Sequence, residues 1–285
     1  MKQMLRKASL LSAAVLVGAL TLLGTGCNKL RSRDDLNKGV AAYKNAKYSD
    51  AVRFFEEAIN LDSGNPNARV YLGTAYMMQW IPGAESPENG QFASKAKDEF
   101  AKVLEQDPNN GVALASLASL AFNEADPLPL DQKMAKLDEA ASWYTKLVTA
   151  DPKNRDGYYS LGAIAQKKFY PALMTARVNA SMRPDEPGPL KDKKAKAELS
   201  AKYMPVIEDG IKNLQKALDI DKDSDDAMAY MNLLIRERAD LADDKESYKK
   251  QVDEADAWLQ KALDTKKAKQ EKLEKKTSGG IIQEN

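Results

Sequence analysis

Few residues in this chain could do chemistry, and they are unevenly placed. Cys27 is the only cysteine among 285 residues, and histidine is absent. Without histidine, a Ser-His-Asp or Cys-His nucleophile pair and any His-built zinc site are excluded. A single cysteine excludes an internal disulfide and every cysteine cluster. Carboxylates alternate at Asp219, Asp221, Asp223, Asp225 and Asp226, a pattern that can surround a hard cation. A calcium loop, however, needs Gly at its sixth place and Glu at its twelfth. Starting from Asp219 or Asp221, those places hold Ser224 or Asp226 and then Tyr230 or Asn232. A turn that caps the next helix explains these acids, and no metal is expected. Acid pairs are common in a chain that is 30% charged, so pairing alone nominates no general acid and base. There is no Gly-rich phosphate loop. The reading is of a protein that is not an enzyme and takes no cofactor. With 43 Lys+Arg against 42 Asp+Glu, nothing in the charge balance favours nucleic acid.

Upstream of Cys27, Lys2, Arg6 and Lys7 precede an uncharged, mostly apolar stretch from Ala8 to Leu23. This is the layout of a secretory signal peptide, and the stretch is short of the roughly 20 residues a spanning helix needs. Residues 1–26 are therefore predicted to be removed. The run Leu22-Leu23-Gly24-Thr25-Gly26-Cys27 resembles the lipobox of bacterial lipoproteins, in which the cysteine becomes the lipidated N-terminus. It departs from that pattern at Gly24, where leucine is usual. Ordinary secretory cleavage nearby, or an uncleaved anchor, are the alternatives. The resemblance implies lipidation at Cys27, with residues 27–31 as lipidated end and short tether, and a place in the bacterial cell envelope facing the periplasm. Asn28 rather than Asp after the cysteine points to the outer membrane more than the inner. Loss of the three signal cations leaves 40 positive against 42 negative side chains, still close to neutral.

The remainder is repetitive. Leu72-Gly73-x-x-Tyr76 aligns with Leu161-Gly162, and Gly39, Ala118 and Asn232 occupy equivalent places. A second signature follows each: Ala51-Phe55-Ala58, Ala96-Phe100-Val103, Ala140-Tyr144-Leu147, Gly210-Leu214-Ala217 and Ala255-Leu259-Ala262. Gaps of four and three place these residues on one helical face, where a small side chain admits a neighbouring helix and a large one fills the space. Turns rich in Asp, Asn, Ser and Pro, such as Gln106-Asp107-Pro108-Asn109-Asn110, stop one helix and can cap the next.

Five such copies in tandem resemble the tetratricopeptide repeat family over residues 32–269, divided as 32–65, 66–110, 111–154, 155–224 and 225–269. The resemblance implies an all-α fold, a right-handed α-solenoid of about five helix-turn-helix repeats. Repeats two to five exceed the first repeat's 34 residues by 11, 10, 36 and 11, and each gain falls between the two helices of its repeat. Residues 270–285 are predicted to be a polar helix end and flexible tail. The insertions carry Trp80-Ile81-Pro82, Leu128-Pro129-Leu130 and Phe169-Tyr170-Pro171, whose prolines argue against unbroken helix extensions. The longest, about 171–208, is read as a hairpin or flap.

In this family first helices line a concave face. Carrying the pattern over places Leu36, Val40 and Tyr43, then Val70, Thr74 and Met77, then Ala115, Ser119 and Phe122, then Tyr159, Ala163 and Gln166, then Ala229, Leu233 and Arg236 in a groove for a protein or peptide partner. The other reading is that these side chains only pack against neighbouring helices. The insertion edge, with Trp80, Ile81, Leu128, Leu130, Phe169 and Tyr170, is a second candidate surface, unless its loops pack on one another. The expected function is a membrane-anchored scaffold or adaptor in envelope assembly. The alternatives are a ligand- or glycan-binding accessory lipoprotein with 171–208 as a lid, and a self-associating structural protein. The sequence leaves the oligomeric state open.

Overall fold

The computed structural model describes residues 27–183 and 185–279, so the signal segment 1–26, Pro184 and residues 280–285 lie outside the described residues. Every regular element among the described residues is a helix. These are α1 (27–44), α2 (Tyr48–Leu61), α3 (Pro66–Met77), α4 (Pro87–Gln106), α5 (Gly111–Ala125), α6 (Leu130–Ala150), α7 (Arg155–Asn179), α8 (Lys193–Ile220), α9 (Asp225–Ala239) and α10 (Lys245–Gly279). Odd-numbered helices are the first members of the five pairs and even-numbered helices the second, so the fold is an all-α solenoid of helix-turn-helix repeats. By contacts the chain forms two compact units, one ending at Leu120 and one beginning at Ala121.

The turns between repeats are built as their composition predicts. Asn65, Asn154 and Ser224 each precede a helix and accept a hydrogen bond from a backbone N–H in its first turn. Asp107, Asp151 and Asp221 form matching turns, each carboxylate accepting from the N–H two residues on. Of the alternating acids, Asp221 is thus part of the turn and Asp225 pairs with Lys269. Among the described residues no group of three or more acids and cysteines is placed to hold a metal ion.

In the first unit, Phe55 fills the space left by Gly39 and Phe100 the space left by Gly73. In the second, Leu214 does the same against Gly162. The fifth pair is built differently. Asn232 stands where the glycine would be, and its buried amide donates to the carbonyl of Ala255 at 2.7 Å. Leu259, the large residue of that pair, is left 40% exposed.

Two expectations are corrected here. Pro171 does not end α7, which runs unbroken from Arg155 to Asn179, and α8 continues through Pro205. A proline inside a helix costs about 3 kcal/mol. Phe169 and Leu173 from α7, with Tyr203 and Ile207 from α8, are buried in one cluster, each side chain contributing about 1.5–3 kcal/mol. Burial therefore outweighs the lost backbone bond.

The second correction follows from the first. The stretch 171–208 is a hairpin and no flap or lid: it is two lengthened helices joined by an irregular connector, whose described residues are 180–183 and 185–192. That connector is clamped. Arg177, buried, bonds Asp240 at 2.7 Å and donates to the carbonyls of Arg183 and Glu186, while the N–H of Leu190 donates to the carbonyl of Asp240 at 2.8 Å. Met182 and Leu190 are buried beneath it with Ala176.

Candidate functional site

In the first unit, Tyr43 on α1 and Val70, Thr74 and Met77 on α3 are all half-buried. Their spacing of four and three along α3 makes one stripe. Tyr43 meets the ring of Tyr48 edge-on at 5.5 Å, and burial pushes its phenol up from the usual value. The Thr74 hydroxyl donates to the carbonyl of Val70 at 2.8 Å, so its proton is already used within the helix. The stripe offers apolar and aromatic surface with no formal charge.

The second unit pairs the groove residues of α7 with partners on α9. Tyr159 meets Tyr230 edge-on, ring centres 5.4 Å apart, and burial pushes the Tyr159 phenol up to about 12. One face further along, Gln166 donates to Glu237 at 2.7 Å. Between Tyr230 and Glu237 on α9 lies Leu233, which is exposed. Residues 230, 233 and 237 share a helical face, so an aromatic pair and an amide–carboxyl pair flank an apolar residue open to solvent. Phe122, on the part of α5 in this unit, lies 4.7 Å beneath the Lys167 ammonium, which also pairs with Asp126. Its face is covered by a cation rather than bare.

Glu237 is 8% exposed, and its second oxygen, Oε2, has no hydrogen-bond partner. Burial raises its carboxyl to about 8, opposed by the hydrogen bond from Gln166 and aided by the nearby charge of Asp240. Asp240 is itself pushed up by burial, against the pull of Arg177. At neutral pH Glu237 is mostly protonated, which is how a buried carboxyl avoids the cost of an unpaired charge.

The insertion-edge residues separate. Ile81, Leu130 and Tyr170 are exposed, Trp80 and Leu128 are half-buried, and Phe169 is fully buried against Tyr203 at 5.5 Å. Phe169 is thus core and no part of an edge surface, because the helix carries through Pro171 and turns that side chain inward. The loop bearing Ile81 is held by a residue the sequence reading passed over: buried Asn89 accepts from the N–H of Ile81 at 2.7 Å and donates to the carbonyls of Ile81 and Ala84. Arg177, Asp240, Tyr230 and Glu237 were also missed. The signal for Arg177 and Glu237 is that a polar residue stands at core spacing in α7 and α9; Asp240, one place past α9, and Tyr230 carry no such signal.

Cys27 is exposed at the first described turn of α1. No described helix is long and apolar enough to cross a membrane.

No family model matches the sequence, and no curated protein matches it in sequence. Solved structures do match in fold. A MamA crystal structure superposes with a TM-score of 0.54 at 15% identity, over 85% of this chain and 94% of that one. MamA from Desulfovibrio magneticus, from residue 41 to its end, gives 0.50 at 16% identity over 84% and 96%. YrrB, described as a TPR protein with an unusual peptide-binding site, gives 0.49 at 14% identity over 82% and 90%. The likeness to MamA, at such low identity, is a likeness of fold.

Proposed function

We propose that this chain is a membrane-anchored tetratricopeptide-type scaffold of the bacterial cell envelope, lipidated at Cys27, facing the periplasm and binding protein or peptide partners on its first-helix faces. The observation that carries the reading is the face of α9 where exposed Leu233 lies between the Tyr159–Tyr230 and Gln166–Glu237 pairs. A preformed helix face with an apolar anchor and fixed polar neighbours binds an extended segment or helix at little ordering cost. The lipobox-like run before Cys27, together with the exposure of that cysteine, supports the anchor. Multiple acyl chains would hold it where one chain would exchange. Asn28 supports the outer membrane over the inner, and a role in envelope assembly follows from that address.

The test is crosslinking of the native chain in its own envelope, with Cys27→Ser as the unanchored control. Recovery of one discrete set of envelope proteins, lost in the control, is the expected result; no partner above background overturns the scaffold reading. Charged substitutions at Tyr43, Met77 and the exposed anchor Leu233 are expected to abolish capture while the helical circular dichroism signal stays unchanged. Undiminished capture would move the binding face elsewhere.

A further inference from the structure

Three recesses of one kind recur where a first helix lies between two second helices. One sits over α3 between α2 and α4 in the first unit; the others lie within the second unit, over α7 between α6 and α8, and beside the end of α9 between α8 and α10. Their geometry is shared but their charges are not. In the α3 recess, Arg69 and Lys102 both pair with Glu99, at 2.9 and 2.6 Å, and the Tyr76 hydroxyl donates to Glu56 at 2.7 Å. In the α9 recess, Arg238 bonds Glu208 at 3.0 Å and Gln251 at 2.7 Å. The α3 recess sets three cations against three acids, and the α9 recess one cation against two acids, so neither has a surplus of positive charge.

The α7 recess does. It encloses about 490 Å³ and carries Lys168, Lys212 and Lys216 against a single acid, Asp209. Lys168 pairs outward with Asp138, which is not part of the recess. Lys216 lies 5.0 Å from the Tyr158 ring centre. Among the described residues neither Lys212 nor Lys216 has a carboxylate within salt-bridge distance. The floor is apolar, formed by Val148, Leu161, Ile164 and Val206. Thr145 and Thr149 on the α6 wall donate to carbonyls of their own helix. On α8 the lining runs from Val206 to Lys216, roughly 15 Å of helix at 1.5 Å per residue. At 100° per residue, Leu161 and Lys168 stand on the face of α7 opposite Tyr159 and Gln166, so this surface is separate from the first-helix face.

We propose that the α6–α8 recess is a docking groove for an acidic amphipathic helix of a partner protein. An apolar stripe on the incoming helix covers Val148, Leu161 and Val206, and its flanking carboxylates meet Lys212 and Lys216 at the rim. A trough open along its length and bounded by two helices suits a third helix, and the surplus of positive charge selects an acidic one and speeds its approach. The inference does not depend on the first-helix face binding anything.

The experiment displays a library of 16-residue helical peptides, one face Leu/Ala and the other randomised among Glu, Gln and Lys, against the full chain lacking residues 1–26 and carrying Cys27→Ser. Enrichment of Glu-rich faces is expected, with binding that weakens as salt rises. Affinity is expected to fall at least about tenfold in Lys212→Glu/Lys216→Glu and to hold in Lys95→Glu/Lys102→Glu, which alters the α3 recess. Lys212→Gln/Lys216→Gln gives the same comparison without charge reversal should the first variant melt early. Enrichment without acidic bias, binding that survives loss of both lysines, or equal loss in the α3 variant overturns the groove. Binding only to phosphatidylglycerol vesicles through the same lysines overturns the helix as occupant.

Discussion

At the scale of single residues, the molecule is organised by glycine notches. A Cβ on Gly162 would stand 2.4 Å from Leu214 Cγ, and one on Gly73 would stand 2.9 Å from the Phe100 ring. Gly162→Ala and Gly73→Ala are therefore expected to destabilise by about 1–3 kcal/mol in urea titrations, because neither large side chain has room to retreat. Gly90 in α4 has nothing within 4 Å of the same position, so Gly90→Ala is expected to stabilise by up to about 1 kcal/mol. Equal effects at all three would contradict the notch. Glu237 sets a pH dependence of known sign. Its folded carboxyl holds a proton to about pH 8, whereas unfolded it releases it near about pH 4.3. Across that window the unfolded state binds fewer protons, so Glu237 makes stability fall as pH rises, by up to about 1.4 kcal/mol per unit. Glu237→Gln is expected to remove that fall, read as melting temperatures that converge with wild type near pH 4 and exceed it near pH 8. The notches were legible in the sequence as a glycine recurring in the first helices, at Gly39, Gly73 and Gly162, with a large residue recurring in the second, at Phe55, Phe100 and Leu214. The state of Glu237 was not, since it depends on which helices enclose it.

At the scale of elements, the fourth pair carries the main departure from the sequence reading. Pro171 and Pro205 signal breaks to any local rule, yet both sit inside helices whose other faces bury Phe169, Leu173, Tyr203 and Ile207. The connector between them is held by a buried ion pair with its hydrogen bonds to backbone carbonyls. Removing one partner of such a pair leaves the other charged and buried, which costs about 3–5 kcal/mol. Arg177→Met is thus expected to destabilise strongly and to raise hydrogen exchange in 180–192 well above that in α6. Unchanged exchange would show that Met182 and Leu190 hold the connector alone. The last pair behaves oppositely. Leu259 and Leu263 on α10 are exposed, so Leu259→Glu is expected to change stability by less than about 0.5 kcal/mol, against about 2–5 kcal/mol for Leu214→Ala at the equivalent place in α8.

At the scale of the whole molecule, the proposed anchor at Cys27 is directly testable. If Cys27 carries lipid, the native chain sediments with membranes and the Cys27→Ser form is recovered in the soluble fraction; co-sedimentation of both would remove the anchor. Light scattering on that soluble form at micromolar concentration separates a monomeric scaffold from a self-associating one. The sequence alone determined the helical class, the number of pairs, the turns and their caps, and the small-to-large contacts of the first, second and fourth pairs. All of these are local, set by residues a few places apart or by a period that repeats. Tertiary structure decided what depends on distant partners. It continued two helices through prolines because burial exceeded the lost bonds, and it turned Phe169 inward. It closed a supposed lid with Arg177 and Asp240, 63 positions apart. It also gave the recess over α7 a surplus of lysine that the other two lack, a difference no spacing within a repeat could record.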